Sequence, residues 1–262
     1  MVQDITYEFR KKLASGKRLY GTEIDLCDPC ITEMVGQFGF DFLWIDQEHQ
    51  AMDYQTVLNH IIAAHSAGVA SLVRVPWNES YLAKRVLEMG PDGIIFPVIG
   101  NHVELEKAMN ACMYPPYGTR GFGPRRACNY CSEDLMEYIK DAPNRTCRFA
   151  QIESEEAVLD IDNMMKNPYV DGFILGPCDL SGSIGKLNRI MDDEVLKLID
   201  RVIAKGKEYQ KPVGIAVGAN TEKDVEFWYR RGVQFLSSGS DIACIVGKMQ
   251  EQAKMMKKID GR

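Results

Sequence analysis

The chain has 262 residues, 45% of them hydrophobic and 26% charged, with a formal net charge of −6 and a pI near 5.4. That length admits either one α/β barrel of about 250 residues or two smaller domains. The acidic balance, with both signs interspersed, argues against an electrostatic nucleic-acid binder, which carries a basic face. No uncharged apolar run approaches the roughly 18 residues that a membrane helix needs.

The first residues, MVQDITYEFRKKLASGK, lack the apolar core of a signal peptide, so a cytoplasmic protein is expected. Ile5, Phe9 and Leu13 recur at helical spacing and predict a short amphipathic helix. Apolar, β-branched runs then follow at 19–26, 41–46, 70–75, 93–99, 147–153, 172–176, 212–218 and 233–239. Helical patterns lie between them at 54–67, 79–89, 103–112, 155–165, 193–209 and 222–231, and 240–258 follows the last strand. Asn78 and Thr221 read as helix caps, and Gly68, Gly90 and Gly232 as helix ends.

Strands that alternate with helices imply a parallel sheet, and near-continuous apolar strands imply burial on both faces. Eight such units in 1–262 predict a single closed (β/α)8 barrel. An open doubly wound sheet is the alternative, but no G-x-G-x-x-G follows the first strand, and GFGPRR at 121–126 follows no strand at all. One long connection, YPPYGTRGFGPRRACNYC at 114–131, is expected to rise beside the active end, since loops of this length are usually functional.

Eight cysteines without an export signal read as free thiols. The pairs Cys27–Cys30 and Cys128–Cys131 lie almost a hundred residues apart, too far in sequence for a compact zinc ribbon.

Barrels of this kind place chemistry at the C-terminal ends of their strands. There the second strand ends in Asp46-Gln47-Glu48-His49, and the third carries Arg74, whose buried guanidinium needs an anion. The fifth ends in Gln151-Ile152-Glu153, which puts Gln151 and Glu153 on one face. The sixth runs into Gly176-Pro177-Cys178-Asp179. If odd positions point inward there too, Phe173 and Leu175 fill the barrel. A single acid at a strand end is most often a cap, and a single histidine most often structural. Convergence of residues from four strands on one rim favours a site.

Carboxylates without a His or Cys ligand pair suit a hard divalent cation, Mg2+ or Mn2+ before Co2+ or Zn2+. A cation beside an arginine suits an oxo acid, with the guanidinium facing the developing oxyanion and His49 moving the proton. A Schiff-base aldolase would need a lysine in a dry site at a strand end. Lys211 precedes the seventh strand, Lys84 lies on a helix, and Lys186 sits in the loop after the sixth.

The motifs IDQEH (45–49), VRVPWN (73–78), GIIFPV (93–98), YPPYGTRGFG (114–123), QIES (151–154), GPCDLSGSIG (176–185) and GIAVGAN (214–220) resemble the class II, metal-dependent pyruvate aldolases. These include 4-hydroxy-2-oxoheptanedioate and 2-dehydro-3-deoxyglucarate aldolases. The resemblance implies a barrel of the phosphoenolpyruvate/pyruvate type, usually hexameric, that cleaves a 4-hydroxy-2-oxo acid to pyruvate and an aldehyde. It implies metal ligation by Glu153 and Asp179, acid–base work by His49, and enolate stabilisation by Arg74. Gln151 and the Cys178–Asp179 backbone would contact pyruvate. Asp46 and Glu48 would stand behind these groups, and from its position, rather than from the resemblance, Glu48 is expected to hold a metal-bound water. Glu88 would raise the basicity of His49, in place of the family's usual Asp. Cys178 replaces the usual Ala. Gln50, Met52 and the 114–131 loop are expected to shape the aldehyde side. No organic cofactor and no macromolecular partner beyond a second copy are expected. The rival readings are a citramalyl- or malyl-CoA lyase on the same barrel, and a silent metabolite-binding barrel.

Overall fold

The computed structural model describes residues 2–218 and 221–260. Ala219 and Asn220, the end of the GIAVGAN motif, lie outside them. Eight strands form one closed, all-parallel barrel in sequence order, with β8 pairing back on β1. They are β1 (Leu19–Ile24), β2 (Phe42–Asp46), β3 (Ala70–Arg74), β4 (Gly93–Phe96), β5 (Cys147–Ile152), β6 (Gly172–Leu175), β7 (Val213–Val217) and β8 (Phe235–Ser240). The helices are α1 (Val2–Ala14), α2 (Pro29–Gly36), α3 (Tyr54–Ser66), α4 (Ser80–Glu88), α5 (His102–Cys112), α6 (Leu135–Asp141), α7 (Glu155–Leu159), α8 (Ile161–Met165), α9 (Pro177–Ser183), α10 (Asp193–Tyr209), α11 (Glu222–Arg231) and α12 (Asp241–Ile259).

Two apolar layers hold this arrangement. Inside the barrel, Leu19, Phe42, Trp44, Leu72, Ile95, Phe149, Ile174 and Phe235 pack on one another. Phe9 and Leu13 of α1 plug the floor, the end where the strands begin, and Phe9 meets Phe42 edge-on at 6.0 Å. Space for these rings comes from glycines on neighbouring strands. A Cβ on Gly21 would stand 2.1 Å from Phe42, and one on Gly214 would stand 2.2 Å from Phe235. The second layer, between strands and helices, takes residues of opposite parity, such as Leu43, Ile45, Val73, Ile94 and Ile152.

Four sequence expectations need correction. Phe173 and Leu175 lie in the outer layer, and Ile174 is the residue that fills the barrel. The β5–β6 register pairs Gln151 with Ile174, so the inward parity switches from odd to even between the two strands. The segment after β1 contains a helix, α2, whose cap is Asp28, with Pro29 in its first turn. Cys27–Cys30 therefore straddles a helix start. Asn78 is not the α4 cap. Glu79 holds that position without a side-chain capping bond, and Asn78 donates to the Glu104 carbonyl. Thr221 does cap α11.

The last correction concerns the 114–131 loop. It follows α5, not β4, and helix-to-strand connections in a barrel run along the floor. There Arg126 donates to the Met89 and Gly90 carbonyls and meets His65 Nδ1 at 2.9 Å, while Arg120 pairs with Glu88 at 3.1 Å. The loop is thus at the opposite end from the rim residues.

Candidate active site

The inward parity that fills the barrel with rings ends in polar side chains at the rim. The tryptophan-to-acid succession on β2 follows from it: Trp44 packs inside, and Asp46, two residues on, is the next to face the interior. Register places Asp46 beside Arg74 of β3. Arg74 Nε and Nη2 donate to the two Asp46 oxygens, each at 2.8 Å, a bidentate fork in a nearly dry setting. Its Nη1 reaches Glu48 Oε2 at 3.0 Å and Gln151 Oε1 at 3.4 Å, and the guanidinium lies 5.1 Å from the Trp44 ring. Burial works against this cation, but Asp46, Glu48 and Glu23 hold its pKa above the ordinary arginine value. Asp46 also accepts from the Glu48 and His49 amides, so one carboxylate fixes both the guanidinium and the loop that carries His49.

Gln151 and Glu153 do share a face. Gln151 Nε2 donates to Glu153 Oε2 at 2.5 Å, and the Val98 amide donates to Glu153 Oε1. Val98 adopts a left-handed φ of 56°, an unfavourable conformation for a β-branched residue. Burial pushes the Glu153 carboxyl up to about 7, with Glu48 and Asp179 adding repulsion. Burial likewise raises Glu48 to about 7, against the pull of Arg74. Asp179 sits exposed in the first turn of α9. These groups line a cleft of about 550 Å3 with His49, Trp77, Asn78, Glu79, Gly100 and Lys107. His49 is exposed in it, 3.9 Å from Glu48 Oε2.

A divalent cation is implied by the resemblance, and the donor set fits one. Glu48, Glu153 and Asp179 face one cleft, and burial has raised the first two, which is where a positive ion relieves most repulsion. Room is available beside them, because a Cβ on Gly176 would stand 3.0 Å from Glu153 Oε2 and 2.8 Å from Gln151 Nε2. Among the described residues no three His, Cys, Asp or Glu side chains gather as a closed metal cage. An open site completed by substrate oxygens and water is the arrangement such a donor set allows.

Other predicted residues lie elsewhere. Glu88 does not meet His49 within the chain. It ends α4 at the floor and pairs with Arg120, since α4 runs antiparallel to the strands. Met52 is buried in the outer layer, and the cleft is walled instead by Trp77–Glu79 and Val98–Gly100. Cys178 is exposed, its thiol 3.8 Å from Asn188 Oδ1, and burial with Asp179 raises its pKa. Lys186 is paired with Asp192 and Glu194, which raise its pKa and hold it protonated. Lys211 is at the floor, bonded to the Asn167 and Val170 carbonyls.

Sequence reasoning missed Glu23. It lies level with Trp44 on β1, and burial lifts its carboxyl to about 7 while Arg74 pulls it down. The acid inside LYGTEI was the signal for it.

Comparisons with known proteins give the family. The family model described as HpcH/HpaI aldolase/citrate lyase matches residues 24–246. A 5-keto-4-deoxy-D-glucarate aldolase from Citrobacter koseri is 31% identical over 251 residues, 96% of each chain. An HpcH/HpaI aldolase/citrate lyase family protein from Burkholderia cenocepacia superimposes with a TM-score of 0.90 at 26% identity, over 95% of this chain and 99% of that one. An HpcH/HpaI aldolase from Desulfitobacterium hafniense gives 0.87 at 28% identity, over 94% and 95%. The chain belongs to the HpcH/HpaI aldolase/citrate lyase family, as a carbon–carbon lyase on a (β/α)8 barrel.

Proposed function

We propose that the protein, acting as one barrel unit over its whole length, reversibly cleaves a 4-hydroxy-2-oxo acid to pyruvate and an aldehyde. The observation that carries this reading is the convergence of His49, Glu48, Glu153 and Asp179 on one cleft, with Arg74 directly behind Glu48 at 3.0 Å. Glu153 and Asp179 would hold the divalent cation, Mg2+ or Mn2+, which when bound supplies Lewis acidity to the 2-oxo group. Asp46 keeps Arg74 aimed, so that its Nη1 edge, shared with Glu48 and Gln151, is available to the oxygen that gains charge as the C3–C4 bond breaks. His49 takes the proton from the 4-hydroxyl and returns one in the reverse direction. The other three imidazoles are engaged elsewhere: His60 with Thr32, His65 with Asp92, and His102 with Asp160. Gln151 bridges Arg74 and Glu153 and orients the oxo-acid head.

The cleft rim is lined by Glu79, Glu104 and Glu156, and Lys107 there is paired with Glu79. Such a rim suits a neutral polyhydroxy aldehyde better than a CoA ester, whose phosphates need basic groups. A homo-oligomer in the cytoplasm is the setting this reading carries. Supporting it, α12 leaves Ile245, Val246, Met249, Met256 and Ile259 exposed, an apolar face that a second copy would cover. Size-exclusion chromatography with light scattering checks the assembly.

The reaction is tested without knowing the aldehyde. Incubated with pyruvate in D2O and Mg2+ or Mn2+, the enzyme exchanges the methyl protons, EDTA stops the exchange, and His49→Ala abolishes it. No exchange with any divalent cation overturns the pyruvate reading.

A further inference from the structure

The lyase site uses neither C-x-x-C pair, and the fold treats the two differently. Cys27 and Cys30 are turned to separate tasks at the start of α2: the Cys27 thiol faces the Ala51 carbonyl at 3.8 Å, and the Cys30 amide donates to the capping Asp28. In the floor loop, Cys128 Sγ and Cys131 Sγ stand 3.5 Å apart, both free. The chain reaches that approach through three successive non-glycine residues of left-handed φ, Asn129 (50°), Tyr130 (57°) and Cys131 (62°). Such a run is sterically unfavourable and needs a surrounding structure to hold it. Here the surrounding structure buries Cys128 completely in a cluster with Tyr114 and Tyr138, and bonds its thiol to the Arg125 carbonyl at 3.2 Å.

The two sulfurs have unlike surroundings. Cys131 is exposed, and its sulfur lies 4.0 Å from Arg125 Nη1. Cys128 has no exposed surface, and burial pushes its pKa up. That is an accessible attacking thiol next to a protected resolving one.

We propose that Cys128 and Cys131 form a dithiol oxidation site, converted by a hydroperoxide to an intramolecular disulfide, with Cys131 reacting first. The Cys131 thiolate attacks the peroxide, the O–O bond breaks, and the sulfur becomes a sulfenic acid as water leaves after protonation. The Cys128 sulfur then attacks that sulfenic sulfur, the S–O bond breaks, and a second water departs. Two thiols and one hydrogen peroxide thus give one disulfide and two waters, and a dithiol or thiol reductant restores the pair.

The test is differential alkylation of the full-length protein after hydrogen peroxide. Free thiols are blocked with iodoacetamide, the protein is reduced, and newly released thiols are labelled with N-ethylmaleimide before peptide mass spectrometry. The second label is expected on Cys128 and Cys131 together, with Cys27 and Cys30 carrying the first, and with an intact mass two hydrogens lower before reduction. In Cys128→Ser, Cys131 is expected to stop at sulfenic acid and to react with dimedone. Over-oxidation of Cys131 while Cys128 takes the first label overturns the proposal, as does a second label confined to Cys27 and Cys30. The wild-type mapping decides this even if the serine variant fails to fold.

Discussion

The two ends of the barrel both bury charge, and they do so on different terms. At the floor Asp92 and Asp171 are matched. Asp92 accepts from Thr6 at 2.6 Å and from the Ser71 amide and hydroxyl at 2.8 and 2.9 Å, and it meets His65 at 2.8 Å. Asp171 is clasped by Arg10 and Arg148. At the rim, Glu23, Glu48 and Glu153 crowd round Arg74, whose fork is already spent on Asp46, and Asp179 adds its charge beside Glu48 and Glu153. A satisfied network tightens the fold, whereas an excess of one charge stores repulsion that a ligand of the other sign relieves. The floor is therefore read as scaffold and the rim as chemistry.

Removing a matched acid from the floor should give the largest effect. Asp92→Ala leaves His65, Thr6 and the Ser71 amide without their acceptor in a dry site. Loss of such a buried partner costs about 3–5 kcal/mol of unfolding free energy. Denaturant titration should show that loss, while activity per folded molecule stays within about twofold of wild type. Comparable stability to wild type would break the contrast.

The matching change at the rim should do the reverse. Glu153→Gln keeps the shape and removes a charge that the fold holds at a raised pKa, so stability should hold or rise. Turnover should fall by about 10²–10³-fold, the scale of losing one electrostatic contact to the transition state. Steady-state kinetics and a thermal melt, measured on the same preparation, separate the two ends.

Between the ends, the interior glycines set the packing. Gly214→Ala would drive a methyl into the Phe235 ring, and overpacking of this kind costs about 1–3 kcal/mol. A melt checks it, and an unchanged midpoint would mean that Phe235 yields more easily than its packing implies.

Much of this was legible in the sequence, because the barrel follows from local patterns. Runs such as FLWID and GIIF are apolar on both faces, and each is followed by a helical repeat. The polar ends of β2, β3 and β5 stood out against those runs, so Asp46, Arg74, Gln151 and Glu153 could be picked before any coordinates. What could not be read depends on how elements meet. The parity of β6 is set by its register with β5, which no single strand encodes. The left-handed Val98 that donates to Glu153 is a tertiary outcome. Two misreadings had signals that were passed over. The 114–131 loop comes after a helix, which sends it to the floor, and Asp28-Pro29 is a helix start hidden inside a cysteine motif. Glu88 shows the same limit from another side: its charge was visible, but the direction of α4 carries it away from His49.

The smallest effect expected is also the sharpest test of the rim's charge excess. Glu23 has a folded-state value near 7 against an ordinary 4.5, because burial outweighs the attraction of Arg74. The native chain therefore binds more protons than the unfolded chain between those two values. Stability contributed by this group is full below 4.5 and is lost as pH rises through 7. Glu23→Gln fixes the side chain in its neutral form. The variant should match wild type near pH 4 and exceed it above pH 7, by about 1 kcal/mol or less because the open rim screens the charge. Melts at a series of pH values, without divalent cations, give the difference directly. A difference that is flat with pH, or that grows on acidification, would mean that Glu23 is paired like the acids of the floor.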